Sequence, residues 1–514
     1  MANPIKKLAG ETAIYGLSTI LARMINFLIV PLYTRVLTTE SYGAYAEIMS
    51  YIAVLQVVLV FGLETGCFKF ANNIRNRIRD NQSTDGLNPE SPFSTALTTV
   101  FASSALFFFL MVIFAGPLSS IMGYGMYPKM VIYSGGILAF DAVTAILFAR
   151  LRYQQKALKF ALFKTVKIVS ELGFNLLLFF TLPSYLAAHP QSWIGEFIPS
   201  EPNFVYIIFA VFLSCAVCML LFIPDLLKVK INLNGKLLKQ MLIYSLPLMV
   251  AGLPGILNDS LDRILFRFFS PQESVWRSDL GIYQAAVRLA VIMNLFVQMF
   301  RYAAEPFFFA RERERDSKEL YAKVMEYFVA FCMLIFLGVL LYMDIIGLLL
   351  GKDFRGALDT IPLMLISYML LGILFNVSMW YKLSGHTRFA INITLAGLAV
   401  TAIINIVLMP YISYWASVLA HVASGLVMLL YSLYLGNKYY PIPYKWRTIC
   451  SYIYVAVIIF LIVSTLNNLM AAKLEWPSGV QLGIRLVLGT AGIFIYLAFV
   501  VRKNRDLLKG VLKR

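Results

Sequence analysis

The chain has 514 residues, of which 60% are hydrophobic and only 14% charged, and its mean hydropathy is +0.75. These values exceed those of ordinary soluble domains, so the composition excludes a soluble globular protein and indicates an integral membrane protein. The net charge of +17 would suggest nucleic-acid binding in a soluble chain, but the basic residues lie in short segments between apolar runs. They therefore report membrane topology, and we expect no nucleic-acid partner.

Apolar runs long enough to cross a bilayer follow one another along almost the whole chain. A transmembrane helix needs about 20 apolar residues, and the sequence offers about 14 candidates. No segment between them has room for a soluble catalytic domain, because the longest has only about 30 residues. We predict an all-α integral membrane protein. The predicted spans are 12–34, 43–62, 94–115, 130–149, 160–181, 204–223, 240–262, 281–301, 323–343, 360–380, 389–409, 415–435, 449–469 and 482–501.

Basic residues are distributed unequally between the two sides of this predicted bundle. If the N-terminus is cytoplasmic, about 33 of the 44 lysines and arginines fall in cytoplasmic segments and about seven in external ones. Cytoplasmic loops of membrane proteins carry such an excess of basic residues. The pattern therefore predicts a multi-pass protein with both termini in the cytoplasm.

The two halves of the chain resemble each other. Span 2 begins Gly43-Ala44-Tyr45-Ala46 and span 8 begins Gly281-Ile282-Tyr283-Gln284, and other matches share an interval of about 230–240 residues. Because an even number of spans separates the paired helices, both copies enter the membrane in the same direction. Parallel repeats of this kind place a substrate pathway where two lobes meet. We predict a first lobe of six helices at 1–239, a second of six at 240–438, and a C-terminal helix pair with a basic tail at 439–514.

Two arginines lie inside predicted spans. An arginine at a helix centre costs roughly 2.5 to 3.5 kcal/mol on insertion scales, so one that is kept usually faces a water-filled interior or an anionic partner. Each shares one helical face with other polar side chains. These predicted cavity residues are Arg23, Thr19 and Asn26 in span 1 and Arg288, Gln284 and Gln298 in span 8.

Two interpretations of these arginines are open. Facing each other across the lobe boundary, the two guanidinium groups could hold a phosphate or diphosphate through bidentate hydrogen bonds. Alternatively, each arginine pairs with a buried carboxylate and only holds helices together. The candidate carboxylates are Glu47, Glu64 and Asp141.

Two carboxylates lie inside spans of the first predicted lobe, Glu47 in span 2 and Asp141 in span 4. A carboxylate in a low-dielectric site can exchange protons near neutral pH, so a proton gradient could drive transport through them. A sodium gradient, the membrane potential alone, or pairing with an arginine would account for the same residues. We expect no bound cofactor, with a proton or sodium gradient as the candidate driving force.

The end of span 7 has the densest polar cluster within any apolar stretch of the sequence. Asn258 and Asp262 share a helical face because they are four residues apart, whereas Arg263 points elsewhere and could meet Asp259. A local salt-bridge network is one interpretation. The other is an external gate or a cation site formed by Asp259, Asp262 and Arg263.

Motifs of catalytic or metal chemistry are missing from the sequence. It contains no phosphate-binding loop for ATP, and its three histidines lie too far apart for a metal motif. The pattern Cys215-x-x-Cys218 lies within span 6 without a second pair, and we interpret it as packing. We therefore expect a transporter rather than an enzyme, and no metal site.

Several short segments together resemble the bacterial polysaccharide exporters of the O-antigen flippase type. They are Tyr15-Gly16-Leu17, Pro31 to Leu37 with Tyr42-Gly43, Ser245 to Leu248 at the start of span 7, Gly281-Ile282-Tyr283, and Glu305-Pro306-Phe307. The resemblance covers essentially the whole chain, and it comes from order and topology more than from any one motif. It indicates a member of the multidrug/oligosaccharidyl-lipid/polysaccharide exporter superfamily.

This resemblance implies two six-helix lobes with a V-shaped central cavity, plus two C-terminal helices, in the bacterial cytoplasmic (inner) membrane. The implied cargo is an oligosaccharide on undecaprenyl diphosphate, flipped to the outer leaflet for a cell-surface polysaccharide such as the O-antigen of lipopolysaccharide. The implied partners are this lipid-linked oligosaccharide, membrane lipids and the polysaccharide polymerase machinery. In lipid II flippases, which look similar, cavity arginines lie in spans 1 and 8, matching Arg23 and Arg288. A further basic residue of span 2 has no counterpart here, because this chain has Glu47.

Three other functions are compatible with parts of this pattern. A lipid II flippase would share the fold and the buried cations. A multidrug exporter of the same superfamily usually has twelve spans and favours acidic cavity residues. A membrane polymerase or ligase of lipid-linked sugars usually has a large external loop, whereas the predicted external loops here stay below about 25 residues.

Overall fold

The computed structural model describes residues 21, 24–25, 27–84, 86–229, 233–272, 274–311, 315–473 and 478–504. Within these residues the chain is helical and forms no β-strand. The α-helices are α1 (Val30–Val36), α2 (Thr39–Val60), α3 (Leu63–Arg79), α4 (Ser91–Ile113), α5 (Ala115–Ile121), α6 (Pro128–Tyr153), α7 (Ala157–Phe180), α8 (Leu182–Ala188), α9 (Ile194–Phe197), α10 (Phe204–Leu226), α11 (Gly235–Phe269), α12 (Trp276–Ala310), α13 (Ser317–Leu341), α14 (Met343–Ile346), α15 (Ile361–Leu383), α16 (Phe389–Ile412), α17 (Tyr414–Tyr439), α18 (Trp446–Lys473) and α19 (Ser478–Lys503). Two 3₁₀ segments, Gly347–Leu349 and Lys352–Thr360, precede α15.

Helix starts and ends follow from the local sequence. The side chain of Thr38 caps α2 by accepting a hydrogen bond from the Ser41 N–H at 3.2 Å, and Asn234 caps α11 in the same way. Phe61 and Gly62 both adopt the left-handed conformation, which interrupts the helix before α3 begins. Helices α2 and α3 therefore form one bent span.

Thirteen helical segments of the described chain are long and apolar enough to cross a membrane. They coincide with all the spans expected from the sequence except the first. Most of the first expected span, 12–34, lies outside the described residues. The prediction of an all-α integral membrane protein is confirmed.

The described chain divides into two compact units. The first unit contains the described residues up to Gly281 together with Met409–Ser413, and the second contains Ile282–Leu408 and the described residues from Tyr414 onward. Helix α11 belongs wholly to the first unit, and α12 begins in the first and continues in the second. The lobe boundaries expected after residues 239 and 438 stay predictions.

Helix α6 is the central helix of the first unit. It packs against α2, α4, α7 and α10, while α11 packs along α2 and α3. Aromatic side chains join α6 to its neighbours: the ring of Phe148 meets Phe160 and Phe222 edge to face, with centroids 5.0 and 4.9 Å apart. Because the unit is built around α6, a polar residue in the middle of that helix faces other helices.

The second unit is organised around α13 and α15. Helix α13 packs against α15, α18 and α19, and α15 packs against α17. Trp380 of α15 is fully buried and donates its indole N–H to Ser432 Oγ of α17 at 3.1 Å, as a buried tryptophan usually requires. The C-terminal helices α18 and α19 also pack on each other.

Candidate functional site

Glu47, in the third turn of α2, is a carboxylate with a fully buried side chain. Tyr124 donates its hydroxyl to Oε2 at 2.5 Å, and Tyr51 donates to Oε1 at 3.3 Å. Arg267 Nη1 lies 3.5 Å from Oε1. Since a buried charge is tolerated only when hydrogen-bond donors and counter-charges surround it, this carboxylate ties α2 to the end of α11 and to the connection before α6.

Arg267, in the last turn of α11, reaches across to that same connection. Its guanidinium donates to the carbonyl oxygens of Ile121 and Met122, each at 2.6 Å. The structure thus pairs Glu47 with Arg267, a residue to which the sequence pattern assigned no role. A signal was present, because Arg267 lies one helical turn after Arg263 in the polar run that ends span 7.

Arg277, at the start of α12, contacts the same tyrosine. Its guanidinium lies over the Tyr124 ring at 4.7 Å, donates to the Gly123 carbonyl at 3.2 Å and lies 3.7 Å from Glu40. Burial and the neighbouring Glu47 raise the pKa of the Tyr124 hydroxyl, so it stays protonated and donates its hydrogen bond. We refer to Glu47, Tyr124, Arg267 and Arg277 as the Glu47 cluster.

Beside the Glu47 cluster, α2 and α12 cross at two glycines. A Cβ atom on Gly43 would overlap the carbonyl oxygen of Arg277, and one on Gly281 would overlap the carbonyl oxygen of Thr39. The hydroxyls of Thr39 and Ser278 share a hydrogen bond of 2.7 Å at the same crossing. Gly43 and Gly281 are equivalent positions of the sequence repeat, 238 residues apart (281 − 43). The contact is therefore reciprocal, as in a two-fold symmetric interface.

Near its own start, α11 meets α3 through a contact of another kind. A Cβ atom on Gly66 would overlap Ser245 Oγ, and that hydroxyl is buried without a hydrogen-bond partner in the described part of the chain. The Lys69 ammonium lies 3.6 Å from the centre of the Tyr244 ring. This contact depends on small residues and an aromatic ring.

Asp141 lies in the middle of α6 and pairs with a lysine. Its Oδ1 is 2.6 Å from Lys167 Nζ of α7, and the two side chains are 29% and 17% exposed. The buried Cys215 thiol of α10 lies close to the same carboxylate. The third candidate carboxylate, Glu64, pairs with Arg152 at 2.9 Å. Each of the three candidate carboxylates thus has a cationic partner on another helix.

Lys167 belongs to a polar stripe on α7 that sequence reasoning missed. The stripe consists of Lys164, Lys167, Glu171 and Asn175. These positions fall within about 80° on a helical wheel. Asn175 is fully buried and accepts a hydrogen bond from the Tyr33 hydroxyl at 2.9 Å. The available signal was the spacing of three and four residues between polar side chains in an apolar span.

The polar residues expected to act at the end of span 7 lie on α11, within three turns of Arg267. Asn258 and Asp262 are both buried, as their shared face predicts, whereas Asp259 is exposed and Arg263 half-buried. These positions place them close to the Glu47 cluster along the helix. Their roles as a gate or cation site stay predictions.

The cavity residues expected on span 8 lie along α12. Gln284 is buried, Arg288 is half-buried, and Gln298 donates to Asn294 Oδ1 at 3.5 Å. Gln284 Oε1 accepts no hydrogen bond from the described residues, so its amide retains binding capacity. Substrate binding by these residues stays a prediction. Their expected counterparts on span 1, Thr19, Arg23 and Asn26, lie outside the described residues.

The described side chains include no group of three His, Cys, Asp or Glu residues placed to hold a metal ion. Cys215 and Cys218 are fully buried on α10 as free thiols. The chemistry that this arrangement offers is ionic: paired charges at the depth of the spans, and a buried charge cluster at one end of α2.

Comparison with solved structures identifies the fold. The lipid II flippase MurJ, in an inward closed conformation, aligns with a TM-score of 0.68 at 14% identity, over 96% of this chain and 99% of that one. The MATE multidrug transporter DinF-BH aligns with a TM-score of 0.55 at 15% identity, over 85% of this chain and 96% of that one. At these identities the likeness establishes the fold alone.

No curated protein sequence matches the chain. The family described as polysaccharide biosynthesis protein matches residues 8–311, which is more than half of the chain. This match confirms the resemblance to polysaccharide exporters, and the two solved structures above are a lipid II flippase and a multidrug transporter. The chain therefore belongs to the polysaccharide biosynthesis protein family.

Proposed function

We propose that the protein is a flippase that moves an oligosaccharide linked to undecaprenyl diphosphate from the cytoplasmic to the external leaflet of the bacterial cytoplasmic membrane. The product would feed the biosynthesis of a cell-surface polysaccharide such as O-antigen, with a polysaccharide polymerase as the next partner. Family membership and the flippase-like fold support a transporter of lipid-linked substrate.

The observation that carries the proposal is the salt bridge between Asp141, in the middle of α6, and Lys167 of α7. Charged side chains inside membrane spans are expensive and usually mark a pathway for polar or charged cargo. Two lysines, Lys164 and Lys167, lie beside this one carboxylate on the stripe of α7. Lysines at membrane depth suit an anionic cargo, because a diphosphate cannot cross hydrocarbon unaided.

The Glu47 cluster supplies a gate for such a transporter. With the N-terminus in the cytoplasm, as the distribution of basic residues predicts, the cluster lies at the external end of its helices. Its buried charges then hold that end closed while the cargo loads from the cytoplasmic side. Opening would hydrate Glu47 and Arg267, so protonation of Glu47 or binding of a coupling ion gives a proton or sodium gradient a point of action.

The direct test is leaflet translocation of a fluorescent lipid-linked oligosaccharide in proteoliposomes. Lipid II and a cationic dye serve as competing substrates, because the fold is shared with a lipid II flippase and with multidrug transporters. We expect wild type to translocate the lipid-linked oligosaccharide, and Arg23→Ala and Arg288→Ala to slow it. Arg485→Ala is the control, since Arg485 forms a partly exposed pair with Asp344 at 3.2 Å on α19.

Three outcomes would reject parts of this proposal. Translocation of the dye without the oligosaccharide would make the protein a drug exporter, and translocation of lipid II alone would make it a peptidoglycan-precursor flippase. Equal rates for wild type, Arg23→Ala and Arg288→Ala would remove these arginines from the substrate path.

A further inference from the structure

The stripe on α7 has two lysines in different electrostatic situations. Lys167 pairs with Asp141 at 2.6 Å. Lys164, one turn closer to the start of α7, lies over the ring of Phe148 at 4.5 Å and forms no ion pair with a carboxylate of the described residues. Lys164 and Lys167 repel each other, while Asp141 attracts both. Lys164, Lys167 and Asp141 together carry a net charge of +1, and Glu171, the acidic member of the stripe, lies one turn beyond Lys167.

On the side of α10 their surroundings are apolar. The Cys215 thiol lies close to Asp141, and Cys215 and Cys218 are both fully buried on that helix. Removing an ion pair from water costs several kcal/mol per ion, and mutual attraction offsets this cost only in good geometry. A second lysine, which forms no direct ion pair with a carboxylate in the described part of the chain, adds to the cost. Apolar side chains would fill a purely structural role with a smaller desolvation penalty, so the site is better explained by an anionic ligand.

A diphosphate fits the donors better than Asp141 does. An ammonium group has three N–H donors, and Asp141 accepts one short hydrogen bond from Lys167. A diphosphate offers more charge and more acceptor oxygens, so it could bind both ammonium groups at once. Asp141 would then release Lys167 and return to it after the ligand leaves.

We propose that Lys164 and Lys167 bind the diphosphate of the lipid-linked substrate, and that Asp141 occupies Lys167 when no substrate is bound. This inference rests on the proposed function, since it names the group of the cargo that the first unit holds. It predicts that two kinds of substitution change diphosphate affinity in opposite directions. Loss of a lysine weakens diphosphate binding, whereas loss of the carboxylate strengthens it.

The same helix has a matched control pair. Lys159, eight residues before Lys167 on α7, pairs with Asp225 of α10 at 2.5 Å. Asp225 lies next to the last residue of α10, so this pair sits at the helix end rather than at membrane depth. It has the same residue types and nearly the same ion-pair distance, but the lysine one turn away from it, Lys156, is exposed.

The experiment measures binding of farnesyl diphosphate, a short prenyl diphosphate, to the detergent-solubilised full-length protein by titration calorimetry. We expect Lys164→Met and Lys167→Met each to weaken binding about tenfold or more, the usual effect of losing a hydrogen bond to a charged group. Asp141→Asn should bind more tightly than wild type. Lys159→Met and Asp225→Asn should bind as wild type does, and farnesol should not bind at this site.

Three results would overturn the proposal. Weaker binding by Asp141→Asn would show that the pair only supports the fold, and tighter binding by Asp225→Asn to the same extent would show a general charge effect. Loss of farnesyl diphosphate binding when phosphatidylglycerol is added to the micelles would assign the site to ordinary lipid headgroups. If Lys167→Met fails to fold, Lys164→Met still tests the proposal, because this substitution breaks no ion pair.

Failure of this inference is distinguishable from failure of the proposed function. If wild type translocates lipid-linked oligosaccharide but Lys164→Met binds farnesyl diphosphate normally, the flippase stands and this site falls. If the binding pattern holds but the oligosaccharide is not translocated, the diphosphate site stands and the cargo must be another prenyl diphosphate.

Discussion

Helix α11 meets its neighbours α2 and α3 at two places, and the two contacts are built on different physics. At the Glu47 end, Arg267 and Tyr124 surround a buried carboxylate. At the Ser245 end, Gly66 lets the two backbones approach, and no charge pair is required. The charged contact can be weakened by a proton or an ion, whereas the small-residue contact responds only to shape. We therefore expect the Glu47 end to be the one that a gradient controls.

The largest effect should follow from Glu47→Ala. Removing one partner of a buried pair typically costs about 3–5 kcal/mol, because Arg267 and Tyr124 lose their shared acceptor. We expect a lower Tm and faster labelling by a membrane-impermeant maleimide of a cysteine placed at Ala44, which is 2% exposed, in a background where the exposed Cys450 is serine.

Glu47→Gln is the control for that prediction. Its amide oxygen still accepts a hydrogen bond from Tyr124, so this variant should change the Tm and the labelling less. Identical labelling of the Ala44 cysteine in wild type and Glu47→Ala would show that the Glu47 cluster does not hold this end closed.

Gly43→Ala should have the next largest effect. Its Cβ would overlap the backbone of Arg277, which cannot rotate away, and overpacking of this kind costs typically about 1–3 kcal/mol. Because the crossing is reciprocal, Gly281→Ala should raise labelling at the Glu47 end as much as Gly43→Ala does.

Gly252→Ala on α11 is the matched control, because a Cβ there has open space within 4 Å. A strong effect of Gly43→Ala combined with a neutral Gly281→Ala would contradict the reciprocal contact.

At the Ser245 end, Gly66→Ala should destabilise the protein less than Gly43→Ala does. A second substitution should restore the lost stability. The new Cβ would meet only Ser245 Oγ, a side-chain atom, so Ser245→Ala should restore the Tm of Gly66→Ala. Ser245→Ala alone should be close to neutral, because its hydroxyl has no partner in the described residues. Additive losses in the double variant would rule out this steric account.

The smallest effect should come from Arg152→Ala. Arg152 and Glu64 are 40% and 38% exposed, and exposed pairs contribute about 0–1 kcal/mol. We expect a Tm close to that of wild type, and unchanged labelling of the Ala44 cysteine. A large decrease in the Tm of Arg152→Ala would mean that Glu64 helps to hold the Ser245 end closed.

Much of the fold could be predicted from the sequence, because apolar runs and their repeat are local patterns. All the spans after the first, and the equivalence of Gly43 with Gly281, follow from such patterns. That these two glycines touch could not be predicted, since a repeat says nothing about which copies pack together.

The partners of the buried charges could be predicted only in part. Glu47 and Asp141 were recognised as intramembrane carboxylates, but their cations, Arg267 and Lys167, come from positions 220 and 26 residues away. An arginine in an apolar span is a strong signal, because its guanidinium stays charged. A lysine is a weaker signal, because its long apolar stem allows the ammonium to reach towards water.

The reciprocal glycine crossing has a consequence for how the chain is made. Gly43 leaves the ribosome 238 residues before Gly281 (281 − 43), an interval of roughly 10–50 s at about 5–20 residues per second. During that time the beginning of α2 lacks the partner that fits it, although its own neighbours α4 and α6 are already present. Formation of the crossing is therefore a late event of biogenesis, and a Gly43 variant should be inserted normally and should reveal its defect only after the second copy of the repeat has been synthesised.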